Sequence, residues 1–206
     1  MFRPEPRGSA AAWLALALAL AIGCPAQPAL AQPAMPAASP ATGASAPVPR
    51  SLRRELDRAE TQLRSLLRAR TQDDALLIVR EPRRLILRMP AQLLFKPDSV
   101  TLRADAMQQD LALAAQLLRQ QKRLVAQIVV YTDDIGGASA NLSFSAQRAA
   151  AILRALQAAR ISAGRLSGVG AGEAANLAGN DSAEGRTQNR RVEISFALSL
   201  AGLPAP

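Results

Sequence analysis

The chain has 206 residues, 25 basic and 16 acidic, for a formal charge of +9. It contains no histidine and one cysteine, Cys24, which excludes histidine-based acid–base chemistry, thiolate metal clusters and an intrachain disulfide. The basic excess does not point to nucleic acid: aromatic residues are 3% of the chain, too few for a base-stacking surface.

Residues 1–31 read as a secretory signal. Arg3 and Arg7 precede the apolar run Ala10 to Ile22, 13 residues long, where a spanning helix needs ~20. Ala29-Leu30-Ala31 offers cleavage before Gln32, the favoured route. AIGC, residues 21–24, is an imperfect lipoprotein box, with Ala21 where leucine is usual and Pro25 after the cysteine. Either route exports the chain to the periplasm; lipidation of Cys24 would add an outer-membrane anchor.

Residues 32–50 are rich in Pro, Ala and Ser and read as an extended tether. Residues 51–70 carry Leu52, Leu56, Leu63, Leu66 and Leu67 on one helical stripe among charges. This amphipathic helix either docks on the domain that follows, pairs as a short coiled-coil homodimer, or receives another envelope protein. The folded domain is assigned to residues 71–200, with a tail at 201–206.

Within the domain, Leu76 to Val79 and Arg84 to Met89 are short β-type runs. Arg103 to Gln121 repeats apolar residues at helical spacing, through Met107, Leu111, Ala114 and Leu118. Leu124 to Tyr131 is rich in β-branched residues and reads as a buried strand. Ser145 to Ala159 follows as a helix, Gly168 to Gly172 as a short strand, and Arg191 to Phe196 as the last strand. The expected fold is a two-layer α/β sandwich, β-α-β-α-β-β, with helices on one face of a mixed sheet.

An ordered set of short motifs then stands out. It comprises Thr132-Asp133-x-x-Gly136, Asn141-x-x-Phe144-Ser145-x-x-Arg148-Ala149, Gly170-x-Gly172-Glu173, and Asn180, Glu184-Gly185-Arg186 and Asn189-Arg190-Arg191-Val192-Glu193-Ile194. With the entry segment Leu93 to Ala106, it resembles the OmpA-like peptidoglycan-binding domain, also found in peptidoglycan-associated lipoproteins and flagellar stator proteins. The resemblance covers about Leu85 to Phe196. It implies non-catalytic binding of peptidoglycan at meso-diaminopimelate, with no cofactor. It gives Asp133 the ligand's ammonium and Arg148 its carboxylate, with Thr132, Asn141, Arg190 and Arg191 near the same pocket.

The residues themselves allow a parallel reading. Ser145 is a candidate N-cap, which would put Arg148 in the first helical turn, beside free N–H groups suited to an anion. An arginine there opposes the macrodipole, so a carboxylate ligand is one explanation for it. A plain Asp133–Arg148 salt bridge is the other. Gly136 and Gly137 are read as turn geometry. Strand alternation sends one of Arg190 and Arg191 toward the pocket and the other to solvent. Tyr131 departs from the family pattern and could narrow the pocket; Phe144, in place of leucine, reads as packing. No nucleophile–base pair suggests an enzyme, and a scaffold acting through residues 51–70 is the alternative function.

Overall fold

The structure is a computed structural model that describes residues 49–68 and 76–199. The signal segment, Cys24, nearly all of the tether, the end of the leucine helix with the proposed domain start, and the C-terminal tail lie outside the described residues.

Helix α1 (Arg50–Arg68) comes first, then β1 (Leu77–Arg80) and β2 (Arg84–Pro90), joined as a hairpin. A single turn, α2 (Ala91–Leu94), leads through a loop to α3 (Ala106–Gln120), β3 (Leu124–Tyr131) and α4 (Ala138–Ala158). A 3₁₀ turn (Ala163–Arg165), β4 (Leu166–Gly172), α5 (Ala183–Asn189) and β5 (Arg191–Leu198) complete the chain. The five strands form one sheet in the order β1-β2-β5-β3-β4. Only β3 and β4 run parallel, and α4 is the crossover between them. The sheet is therefore mixed, as expected, with an additional hairpin strand at its start.

Alternation decides which face is buried. Leu85, Leu87 and Met89 of β2 stand opposite Phe196, Ile194 and Val192 of β5, which stand opposite Ala126, Ile128 and Val130 of β3. All nine are buried in one core, together with Leu111, Ala114, Leu117 and Leu118 of α3 and Ala149, Ile152 and Leu156 of α4. The alternate positions carry Arg88, Glu193, Arg191 and Gln127, a polar face.

The leucine stripe of α1 belongs to the same core. Leu56, Ala59 and Leu63 are at most 1% exposed, with Leu66 and Leu67 packed against the cluster. Burying a leucine contributes about 1.5–3 kcal/mol, so these three residues hold α1 firmly. Its acids add ties: Asp57 and Glu60 pair with Arg80, Glu55 pairs with Arg123, and Gln62 accepts from Gln121. The stripe that could have formed a homodimer or a scaffold seam is thus used within the chain.

Two glycines set how closely α4 lies on the sheet. A Cβ at Gly170 would fall 2.1 Å from the main-chain nitrogen of Ala146, which no side chain can occupy. Gly172 has φ +55 and lies against the backbone at Asn141 and Leu142. The hydroxyl of Ser145 completes the contact, accepting from the Gly172 N–H at 2.9 Å and donating to the Leu142 carbonyl at 3.0 Å.

Candidate functional site

A cleft of about 660 Å³ opens at the end of the sheet where β3 and β2 finish and β5 begins. Thr132, Asp133, Asn141, Arg148 and Arg190 line it, with Phe95, Lys96, Asp98, Arg103 and Phe144. Five of the six candidates from the sequence converge here. Arg191 does not.

The loop after β3 forms the first wall. Gly136 and Gly137 have φ +101 and +85, the region glycine enters without steric cost, and the chain reverses there into α4. Asp133 is 7% exposed. Its Oδ2 accepts from Arg190 at 2.5 Å and its Oδ1 from the Ile135 N–H at 3.3 Å. Asn141 donates to the Asp133 carbonyl at 3.1 Å and to the Glu173 carboxylate at 3.0 Å. Its amide nitrogen is therefore spent on fixing the Asp133 loop. Thr132 is 5% exposed, and its hydroxyl is buried in the cleft wall with no hydrogen-bond partner.

Arg148 departs from its expected setting. Helix α4 starts at Ala138, flanked by Gly137 and with no side-chain cap. Ser145 is thus inside the helix and is not its N-cap. Arg148 lies ten residues past the start, ~15 Å along the axis, out of reach of the terminal N–H groups. The helix-end anion site is withdrawn. Asn141, Ser145 and Arg148 instead share one face at i, i+4 and i+7, all buried, and this stripe delivers Arg148 to the cleft.

The guanidinium is gripped in a different way. Its Nε donates to the Ser99 carbonyl at 2.9 Å. Its carbon lies 4.2 Å from the Phe144 ring centroid and 4.7 Å from that of Phe95, both within cation–π range. Phe144 is a shelf for the charge as well as packing. Arg148 is 6% exposed, and no described carboxylate lies within ion-pair distance of it, so the Asp133–Arg148 bridge is not formed. Burial pushes its pKa down to about 10, with Asp98 opposing the shift and Arg190 adding to it. Phe95, Ser99 and Phe144 are the site residues that the sequence reading missed. The aromatic residues nearest Arg148, one of them four positions earlier on its own helix, were the available signal.

Arg191 and Tyr131 face the other way. The Arg191 guanidinium carbon sits 3.6 Å from the Tyr131 ring centroid. Its Nε donates to Glu193 at 2.9 Å, and Glu193 also accepts from Arg88 at 2.9 Å. Arg191 is 4% exposed, so it faces neither the cleft nor solvent: it braces the polar face of the sheet. Tyr131 lies beneath it and does not narrow the cleft. Asn189 is likewise structural. Fully buried, it accepts from the N–H groups of Leu177 and Ala178 and donates to the Ala178 carbonyl and the Asn180 side chain, closing the loop before α5.

The cleft is thus a small basin with four cations, Lys96, Arg103, Arg148 and Arg190, against the carboxylates of Asp98 and Asp133. A mixed sheet with this cleft at its end defines a binding domain of known type. Residues 94–190 match the OmpA family, and this domain belongs to that family. The chain is 33% identical over 142 residues to the probable lipoprotein YiaD of Escherichia coli K12, a match covering 69% of this chain and 63% of the length of YiaD. A MotB-like protein of Desulfovibrio vulgaris superposes with a TM-score of 0.67 at 27% identity, covering 73% of this chain and 98% of its own. The cell wall anchor of the type VI secretion system of Pseudomonas aeruginosa superposes with a TM-score of 0.59 at 26% identity, covering 70% and 99%.

Proposed function

We propose that the chain binds peptidoglycan through this cleft without catalysing a reaction, and that it grips the zwitterionic end of meso-diaminopimelate in the stem peptide. The observation that supports this most is Arg148, a nearly buried guanidinium in a ligand-sized cleft with no acidic partner among the described residues. An unpaired buried charge is costly. A ligand carboxylate accepting two parallel N–H bonds from the guanidinium offsets that cost.

Asp133 receives the ligand's ammonium. In the free protein it is occupied by Arg190, whose side chain is 40% exposed. The ligand's ammonium takes over the charge that Arg190 supplies, so the buried carboxylate stays paired throughout the exchange. Thr132 offers a hydroxyl with no internal partner, while Asn141 holds Asp133 in position. The Pseudomonas neighbour described as a cell wall anchor is consistent with the same ligand class. With the export signal, the reading places the protein in the periplasm, where it would tie itself or the outer membrane to the wall.

Co-sedimentation with purified peptidoglycan sacculi tests this. Wild-type protein is expected to pellet with sacculi and to be released by free meso-diaminopimelate, less so by lysine, which lacks the second carboxylate. Arg148→Ala and Asp133→Ala are each expected to stay in the supernatant while remaining folded. If both variants pellet like wild type, the cleft is not the wall-binding site.

A further inference from the structure

The face of α1 turned away from the core is rich in arginine: six of its ten exposed residues are arginine, the others being Ser51, Asp57, Thr61 and Ser65. Helical spacing puts Leu52, Leu56, Ala59, Leu63, Leu66 and Leu67 on one side and Arg50, Arg53, Arg54, Arg58 and Arg68 on the other. These five arginines are exposed, and none has an ion-pair partner among the described residues. The acids of α1 are committed elsewhere: Glu55 to Arg123, Asp57 to Arg80, and Glu60 to Arg64 and Arg80.

This pattern works against the helix that carries it. Three of the arginines lie at or near the N-terminal turn, where no acid is present and cations oppose the macrodipole. Arg50, Arg54 and Arg58 form an i, i+4 row of like charge, which is also unfavourable. A solvated helix surface has no need of such a row; an anionic partner rewards it.

Its position is equally specific. Arg123 immediately precedes β3, and Arg80 ends β1 beside the start of β2. The pairs to Glu55, Asp57 and Glu60 therefore hold α1 at the end of the sheet opposite the cleft, which opens past the other end of β3. The eight residues of β3 put ~27 Å between the two ends.

We propose that this arginine face docks on an anionic phospholipid bilayer while the cleft points away from it. Phospholipid is favoured over other polyanions because the tether at residues 32–49 runs straight into α1 behind an export segment, and that compartment is bounded by lipid leaflets. The leucines of α1 are held in the core, so docking is by charge alone, without insertion, and is sensitive to salt.

Vesicle flotation of the full chain carrying Cys24→Ser, which removes any acyl anchor, tests the proposal. Vesicles of phosphatidylcholine mixed with phosphatidylglycerol, whose surface is negative, are compared with phosphatidylcholine alone. The expected result is stronger binding to the anionic vesicles, lost at high salt. An arginine near such a surface is worth about five-fold in partitioning, so Arg53→Gln, Arg54→Gln and Arg58→Gln together should reduce it about 100-fold while sacculus binding stays unchanged. Equal binding of wild type and the triple variant to anionic vesicles overturns the proposal. So does a triple variant that keeps its vesicle binding but loses sacculi, since the face would then serve the wall.

Discussion

The Nε of Arg148 donates to the main-chain oxygen of Ser99 at 2.9 Å, so a residue deep in α4 is locked to the loop that joins α2 and α3. That bond and the two phenylalanine rings aim the guanidinium without neutralising it. The guanidinium is consequently fixed in the cleft, and its charge is held at a cost to the fold.

Arg148→Met separates those two consequences. It keeps apolar bulk between the rings and removes the charge. Sacculus binding is expected to fall at least about 10-fold, since a lost charged hydrogen bond is worth ~1.5–3 kcal/mol. The Tm at neutral pH is expected to be unchanged or higher. The folded-state pKa, pushed down to about 10, lies below the ordinary arginine value, so the unfolded chain holds this proton more tightly. The resulting penalty is present at neutral pH and fades as pH rises through about 10. Any stability advantage of the variant should therefore shrink in urea melts taken from about pH 8 to about pH 11. A variant melting several degrees lower at pH 7 would show that the ring and Ser99 contacts outweigh the desolvation.

The Asp133–Arg190 pair makes a different forecast. The arginine is 40% exposed but the Asp133 side chain only 10%, so removing Arg190 strands a mostly buried carboxylate, at a cost of ~1–3 kcal/mol. Arg190→Gln should therefore lower the denaturation midpoint measurably, because Gln cannot neutralise the Asp133 carboxylate. Asp133→Asn, which keeps the shape of the side chain, should reduce sacculus binding ~10- to 100-fold with little change in stability. Sedimentation and thermal melts on the same two variants check both statements.

Gly170 tolerates no side chain. Gly170→Ala forces a Cβ to within 2.1 Å of the Ala146 nitrogen, so α4 must lift from β4. A loss of at least ~3 kcal/mol is expected, at the upper end of overpacking. The neighbouring Val169 is 41% exposed, and Val169→Thr should shift stability by no more than ~0.5 kcal/mol. Urea denaturation of the pair distinguishes a close-approach glycine from a generally sensitive strand.

Leu63→Ala tests whether α1 folds with the sheet. Leu63 is fully buried, and removing its side chain should cost ~2–5 kcal/mol. Far-UV circular dichroism, which reports the helices, and the fluorescence of Tyr131, the only tyrosine, should give coincident transitions in both proteins. A helical transition that precedes the tyrosine signal in the variant would mark α1 as an appendage.

What could be read from the sequence follows from how local each signal is. Leu124 to Tyr131 was legible to the residue because a β-branched run buried in a sheet looks like nothing else. The start of α4 was not. Its first turns, ASANLSF, are rich in Ser and Asn and follow two glycines, so local propensity favoured a loop with Ser145 as a cap, while the buried stripe of Asn141, Ser145 and Arg148 that fixes the helix appears only against the sheet. The seven residues of α5 went unseen because a helix this short is held by its cap, Ser182 accepting from the Gly185 N–H, and by its surroundings. The orientation of Tyr131 follows from strand alternation, which sends Val130 into the core and Tyr131 to the polar face beside Arg191. Asp133 and Arg148 both line the cleft, but their contacts with Arg190 and with the two phenylalanines are set by tertiary geometry that spacing does not encode.

The placement of β5 governs when the molecule can exist at all. The last of the described strands is the middle of the sheet, hydrogen-bonded to β2 on one side and β3 on the other. Until residues 191–198 emerge, the β1–β2 hairpin and the β3–α4–β4 unit have no edge in common. A chain moving N-terminus first through a ribosome or a translocation pore therefore stays an open substrate until those residues have passed. It then closes in one late step whose contacts span more than a hundred residues, between Arg88 and Glu193 for example.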